Sequence, residues 1–119
     1  INKLIAIQNK SDYDIITNVF KRSYPKGQSV EIIKTSTFLN NFKKFKSRHD
    51  LEHVTSFFYK NFKRFKIYNH TNKINFSKIN LSIDTEEDLF KVKKIFKDIN
   101  KKNLDWLILT KKYLENFSR

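Results

Sequence analysis

Short β-branched runs alternate along this chain with longer stretches whose apolar residues recur at helical spacing. That alternation restricts the fold to an α/β layer architecture, because each apolar strand face or helix stripe must be covered by the other element. Residues 2–10 read as a short helix and residues 13–19 as a strand carrying Ile15, Ile16 and Val19. Residues 30–34 form a second expected strand, and residues 65–69 and 79–83 two more. Helices are expected over 36–46, 51–60, 86–100 and 104–117. The stretch from residue 86 is the clearest, with Leu89, Val92, Ile95, Phe96 and Ile99 on one face. One proline and one glycine occur, both in Pro25-Lys26-Gly27, which marks a turn. No internal repeat and no flexible linker is apparent, so the chain reads as one domain or as a piece of one.

Composition removes several function classes. The 119 residues hold no cysteine, which excludes disulfide scaffolds, thiol catalysis and cysteine-ligated zinc. Aromatics make up 15% of the chain, too many for a disordered segment. No apolar run approaches the roughly 20 residues of a membrane span. Ile1 to Asn9 is short and interrupted by Lys3, so it is no export signal, which points to the cytoplasm.

The net charge of +13 invites a nucleic-acid reading. Composition supplies a simpler cause. Lys, Asn, Ile and Phe account for 60 residues, all with AT-rich codons, while Ala, Gly and Pro occur once each. Only four of the 25 basic residues are Arg, the type favoured for bidentate phosphate and base contacts. The densest basic segments are Asn41-Phe42-Lys43-Lys44-Phe45-Lys46 and Lys60-Asn61-Phe62-Lys63-Arg64-Phe65-Lys66. Aromatics among lysines suit a stacking platform for single strands. The spacing of Phe38, Leu39, Phe42 and Phe45 instead predicts one face of a core-packed helix with its lysines in water. A small module binding RNA or single-stranded DNA is therefore the alternative reading of this chain. His49-Asp50-Leu51-Glu52-His53 spells the H-x-x-E-H pattern of some zinc peptidases, a short pattern that chance readily supplies.

The most informative stretch is Ile79-Asn80-Leu81-Ser82-Ile83-Asp84-Thr85-Glu86-Glu87-Asp88-Leu89. Thr85 is a suitable N-cap, and Asp88 stands three residues on, as in a capping box. Glu86, Glu87 and Asp88 complement the dipole of the helix that follows. Asp84 is not needed for the cap. It stands at the carboxyl end of an expected strand, where open α/β sheets bind ligands. A carboxylate there suits a hard cation such as Mg²⁺, which takes one or two carboxylates plus substrate phosphates.

The segment Ser82-Ile83-Asp84-Thr85-Glu86-Glu87-Asp88-Leu89 resembles the C-terminal V-D-T-P-E-D-L signature of sugar-acid cytidylyltransferases. Tyr24-Pro25-Lys26-Gly27-Gln28-Ser29-Val30-Glu31 resembles the Y-P-R-G-L-D-V-E segment of one branch, the spore coat polysaccharide biosynthesis protein F family, related to CMP-KDO synthetase. Glu52-His53-Val54-Thr55-Ser56-Phe57-Phe58-Tyr59 resembles its R-E-H-V-T-x-Y-I-Y segment. Asp14 to Asn18 and Leu104-Asp105-Trp106-Leu107 resemble two further segments, in the same order. The resemblance implies the C-terminal half of a Rossmann-like nucleotide-diphospho-sugar transferase domain with a mixed sheet, spanning residues 1–119, the N-terminal nucleotide-binding half being absent. It implies transfer of CMP from CTP to a sugar or sugar acid for surface polysaccharide, with little catalysis expected of this piece alone. By the same carry-over Asp84 is a Mg²⁺ ligand, while Lys26, Glu31 and His53 line the substrate pocket. No catalytic residue is assigned. CTP and a sugar or sugar acid are the expected partners, with no membrane or nucleic acid, and a homodimer is compatible with the resemblance. Two departures bear on the sugar, Leu51 in place of Arg and Gln28-Ser29 in place of Leu-Asp; Glu86 in place of Pro departs only from a helix-start preference.

Overall fold

A computed structural model describes residues 1–97, 99 and 104–117. They divide into two compact units, Ile1–Lys21 with Val30–Thr71, and Arg22–Ser29 with Asn72–Arg119. Among the described residues no helix is long and apolar enough to cross a membrane.

The first unit is built on a three-stranded mixed sheet of order β2-β1-β3. Strand β1 (Ile15–Thr17) runs antiparallel to β2 (Glu31–Ile33) and parallel to β3 (Ile67–Asn69). All three residues of β1 are fully buried, as expected of a central strand covered on both faces. Asp14 fixes the start of this strand. Its carboxylate accepts from Thr37 Oγ1 at 2.6 Å and from the Lys66 N–H at 2.8 Å, tying α2 (Thr35–Leu39) and the approach to β3 to the same point. At the other end, Asn18 Oδ1 accepts from the Val30 N–H at 2.8 Å. Asn69 holds the Lys21 backbone by both its N–H and its carbonyl. Helix α1 (Asn2–Asn9) packs on β1 and β2 and buries Leu4.

Two expected helices of this unit are broken. In place of one helix over 36–46 there is α2, then a 3₁₀ turn over Phe42–Lys44. Asn41 causes the break: its side-chain amide donates to the Thr37 carbonyl at 2.8 Å, consuming an acceptor at the helix end. Phe38 and Phe45 still turn inward, but Leu39 and Phe42 are 56% and 41% exposed, which corrects the expectation of one buried face. In place of one helix over 51–60 there are α3 (Arg48–Glu52) and α4 (Ser56–Lys60). Ser47 caps α3 through a bond from the Asp50 N–H, so that helix starts three residues early. The β-branched Val54 and Thr55 separate the two pieces, in keeping with their low helix preference.

A repeat emerges where none was expected. Asn41-Phe42-Lys43-Lys44-Phe45-Lys46 and Asn61-Phe62-Lys63-Arg64-Phe65-Lys66 fold alike. Each follows a five-residue helix, α2 or α4, and each forms a 3₁₀ turn led by an Asn. Asn61 donates to the Phe57 carbonyl at 2.8 Å, as Asn41 does to that of Thr37. The second Phe of each unit is an anchor. Phe45 and Phe65 meet Phe58 at 5.8 and 5.0 Å between ring centroids, and both also meet Phe57.

The second unit carries α5 (Glu86–Lys97) and α6 (Trp106–Phe117), which pack together and bury Ile95 and Thr110. The expected extension of α5 over 98–100 reaches residues outside the described set at 98 and 100. Asp105 caps α6 by accepting from the Ile108 N–H at 2.8 Å, so that helix begins just after its expected start. The expected strand over 79–83 is reduced to one parallel bridge between Lys26 and Asn80. Asn80 ends it, because its Oδ1 accepts from the Ser82 N–H at 3.0 Å and turns the chain.

Candidate functional site

The residues singled out by the resemblance fall in both units: Glu31 and His53 in the first, Lys26 and Asp84 in the second. All four are exposed.

In the first unit Glu31 opens β2, opposite Thr17 at the carboxyl end of β1. The Tyr59 hydroxyl of α4 donates to its carboxylate and lies 3.0 Å from Thr17 Oγ1. Burial, and then the bond to Glu31, push the Tyr59 phenol well above the ordinary tyrosine range, so it stays a donor. Tyr59 was not singled out by sequence reasoning, although it closes the Glu52-to-Tyr59 segment. Its partner lies 28 residues away, and no local pattern reports such a pairing.

His53 follows α3 at its C-cap. Its ring lies 4.7 Å from that of His49, and His49 Nδ1 is 3.1 Å from Ser56 Oγ. The two histidines of the H-x-x-E-H pattern thus share a face. Among the described residues no group of three or more His, Asp or Glu is arranged to hold a metal ion.

The second unit brings the Lys26 backbone and Asp84 into one hydrogen-bonded run. The Lys26 N–H donates to Ile79 O at 2.9 Å, and Lys26 O accepts from the Leu81 N–H at 3.0 Å. The bridge partner Asn80 places its Oδ1 2.6 Å from Ser82 Oγ, which lies 2.9 Å from Asp84 Oδ2. The 25–29 turn is clasped from outside by Arg22, whose guanidinium reaches Ser29 Oγ at 3.2 Å and the Pro25 carbonyl at 3.4 Å. Arg22 is a second residue that spacing did not reveal.

Asp84 and Asp88 have separate duties. The Asp88 carboxylate accepts from Thr85 Oγ1, from the N–H groups of Thr85 and Asp84, and from Asn80 Nδ2. The Asp88 N–H returns a bond to Thr85 Oγ1 at 3.2 Å, completing the expected capping box. These bonds, led by that of the Thr85 hydroxyl, hold the Asp88 carboxyl below the usual carboxylate range. Asp88 is therefore fully engaged in the helix start, whereas the carboxylate of Asp84 is held by Ser82. A hard cation that takes one carboxylate and completes its shell with phosphate oxygens and water fits that donor set.

The cap predicts a pH effect. Since Asp88 titrates lower in the folded chain than in the unfolded one, its contribution is present above the ordinary carboxylate pKa of about 3.9 and fades as pH falls through the lower folded value. Thr85→Ala is expected to cost about 1 kcal/mol and to flatten the acid limb of a stability-against-pH curve. Urea unfolding of both chains at several acid pH values checks this.

No family model and no curated protein sequence matches the chain. A solved structure, a cytidylyltransferase from Leptospira borgpetersenii serovar Hardjo-bovis, superposes with a TM-score of 0.87 at 23% identity, over 97% of this chain. The fold is that of a cytidylyltransferase. The chain spans about half of that protein, 49% of its length. An α/β chain with a mixed sheet was expected, and the likeness to the Leptospira enzyme bears that out.

Proposed function

We propose that this chain is the C-terminal half of a cytidylyltransferase that joins CMP to a sugar or sugar acid for surface polysaccharide. The observation that carries the reading is the superposition over 97% of the chain. A fold hosts many chemistries, so fold likeness is support by analogy. It gains weight from the five sequence segments that resemble the sugar-acid cytidylyltransferases in the same order.

In this reading a sugar oxygen attacks the α-phosphorus of CTP, the bond to the β-phosphate oxygen breaks, and pyrophosphate leaves. Such a displacement needs positioning and charge neutralisation more than covalent help from the protein. Asp84 would hold Mg²⁺ together with substrate phosphates. Bound there, Mg²⁺ would supply charge neutralisation to the phosphates. Ser82 and Asn80 orient the Asp84 carboxylate through the hydroxyl contacts at 2.9 and 2.6 Å. Glu31 receives hydroxyl groups of the sugar, held in place by Tyr59. His53 contacts the sugar acid, and Lys26 attracts its negative charge.

The test uses this chain and one extended at its N-terminus by the nucleotide-binding half. Each is incubated with CTP, Mg²⁺ and a panel of sugar acids, and pyrophosphate is measured. The extended chain is expected to turn over and this chain to release little. Asp84→Asn in the extended chain is expected to lower kcat about 100-fold or more, in line with removal of a charge-stabilising group. Absence of turnover by the extended chain on every sugar acid would sink the cytidylyltransferase reading, and robust turnover by this chain alone would sink the half-enzyme reading.

A further inference from the structure

The proposed transfer reaction makes no use of the repeated Asn-Phe-Lys-Lys/Arg-Phe-Lys unit. In each copy the second Phe anchors the turn on Phe57 and Phe58, and this leaves the first Phe and the cations outside. Phe42 and Phe62 are 41% and 48% exposed. Neither ring projects alone: Phe42 stacks on Phe38 at 6.0 Å, and Phe62 lies against Phe20 at 5.7 Å, which stacks on Tyr59. Each is a ring backed by another ring and held at the surface.

The cations beside them are free to meet an anion. Lys43, Lys46, Lys63 and Arg64 are exposed and make no ion pair among the described residues. Lys60 is engaged by Asp50 at 2.9 Å, and Lys66 by Asp12 at 3.4 Å. In the second copy the outer ring and the cations line a cavity of about 270 Å³, formed by Lys60, Asn61, Phe62, Lys63 and Arg64. That is small for a drug-sized ligand, whose pockets start near 300 Å³, and it suits one phosphate with part of one flat ring.

We propose that the two copies form a binding surface for single-stranded nucleic acid, each offering one aromatic platform to a base and its cations to the adjoining phosphates. A polymer that repeats a flat ring and a negative charge matches a protein element that repeats them too. Rings backed by other rings present a platform, as base stacking needs; membrane anchors would insert beyond the surface. Lysines outnumber arginine here, so the contacts follow charge and π-face, and the surface binds without sequence preference. Overall charge alone did not carry this reading; the ring and cations repeated in both turns support it.

The experiment is fluorescence anisotropy of this chain with a labelled oligothymidine of about twelve nucleotides, within the span of known single-strand sites. An oligomer of equal length with abasic sugars, and phosphatidylserine vesicles, serve as the other arms. With about four phosphates neutralised, the slope of log K against log salt is expected near −3. Phe42→Leu and Phe62→Leu keep apolar bulk and remove the π-face, and each is expected to weaken binding about tenfold. Loss of all the bases in the abasic strand should weaken it more. Replacing Lys43, Lys46, Lys63 and Arg64 by Gln should flatten the salt slope, with the melting temperature as the check on folding. Equal affinity for the abasic strand overturns the proposal, as does unchanged binding by both Leu variants. Absence of binding at low salt overturns it too. Vesicle binding that depends on the same two rings, with the oligonucleotide unbound, assigns the surface to a membrane instead.

Discussion

Phe58→Ala is expected to cost about 3–5 kcal/mol, the usual loss for truncating a buried aromatic ring. Phe58 is fully buried and meets Phe45, Phe57 and Phe65 at 5.8, 5.4 and 5.0 Å. Those contacts hold both Asn-Phe-Lys-Lys/Arg-Phe-Lys turns, so the cavity would loosen two segments at once. A chain this size has about 5–15 kcal/mol of stability in all, so the variant should lie close to unfolding at body temperature. Phe57→Ala is the matched control: Phe57 touches many of the same rings but is partly exposed, and its loss should be smaller. Urea unfolding of the three chains gives the comparison. Equal losses for the two variants would show that Phe58 is not the centre of this cluster.

The parts of this fold that were legible in the sequence are those held by short-range bonds. The Thr85–Asp88 box spans three residues, and the start of α5 matches expectation. The three strands lie inside expected longer ones, because β-branched pairs such as Ile15-Ile16 mark a buried strand wherever it is paired. Periodicity over-extended the helices at 36–46 and 51–60. It counts apolar spacing and registers neither a side-chain amide that takes a helix carbonyl, as Asn41 does in the first, nor the β-branched Val54 and Thr55 that interrupt the second. Asn80 defeated the expected strand at 79–83 in a similar way. Pairings across long separations, such as Tyr59 with Glu31 or Asp14 with Lys66, leave no periodic trace. Of the four candidate site residues, Asp84 had a local argument of its own, because the cap does not use its side chain. Lys26 and Glu31 were visible only through resemblance, and His53 otherwise only through the short H-x-x-E-H pattern.

Gly27→Ala is expected to destabilise the second unit by about 2–4 kcal/mol, from two separate causes. Gly27 has a φ of 87°, which a residue with a Cβ adopts at a cost. A Cβ built there would also lie 2.8 Å from Leu81 C and from Ser82 N. Those neighbours are backbone, so the 25–28 turn and the 79–82 segment would have to separate. Separation stretches the bonds that Lys26 makes to Ile79 and Leu81, each near 3 Å. The substitution Gly27→Asn tells the two causes apart. Asparagine tolerates positive φ better than alanine but carries the same Cβ. If φ were the whole cost, Gly27→Asn would recover most of the loss; the close approach means that it should recover little. Lys26→Ala, at an exposed side chain, should stay within about 0.5 kcal/mol. Thermal melts of the three variants decide the matter. A Gly27→Asn chain as stable as the parent would mean that this approach is looser than 2.8 Å implies. The same glycine controls the candidate metal ligand, because the segment it touches carries Asn80 and Ser82, which position the Asp84 carboxylate. In the extended chain, Gly27→Ala should therefore raise the Mg²⁺ concentration needed for half-maximal turnover even where the protein remains folded.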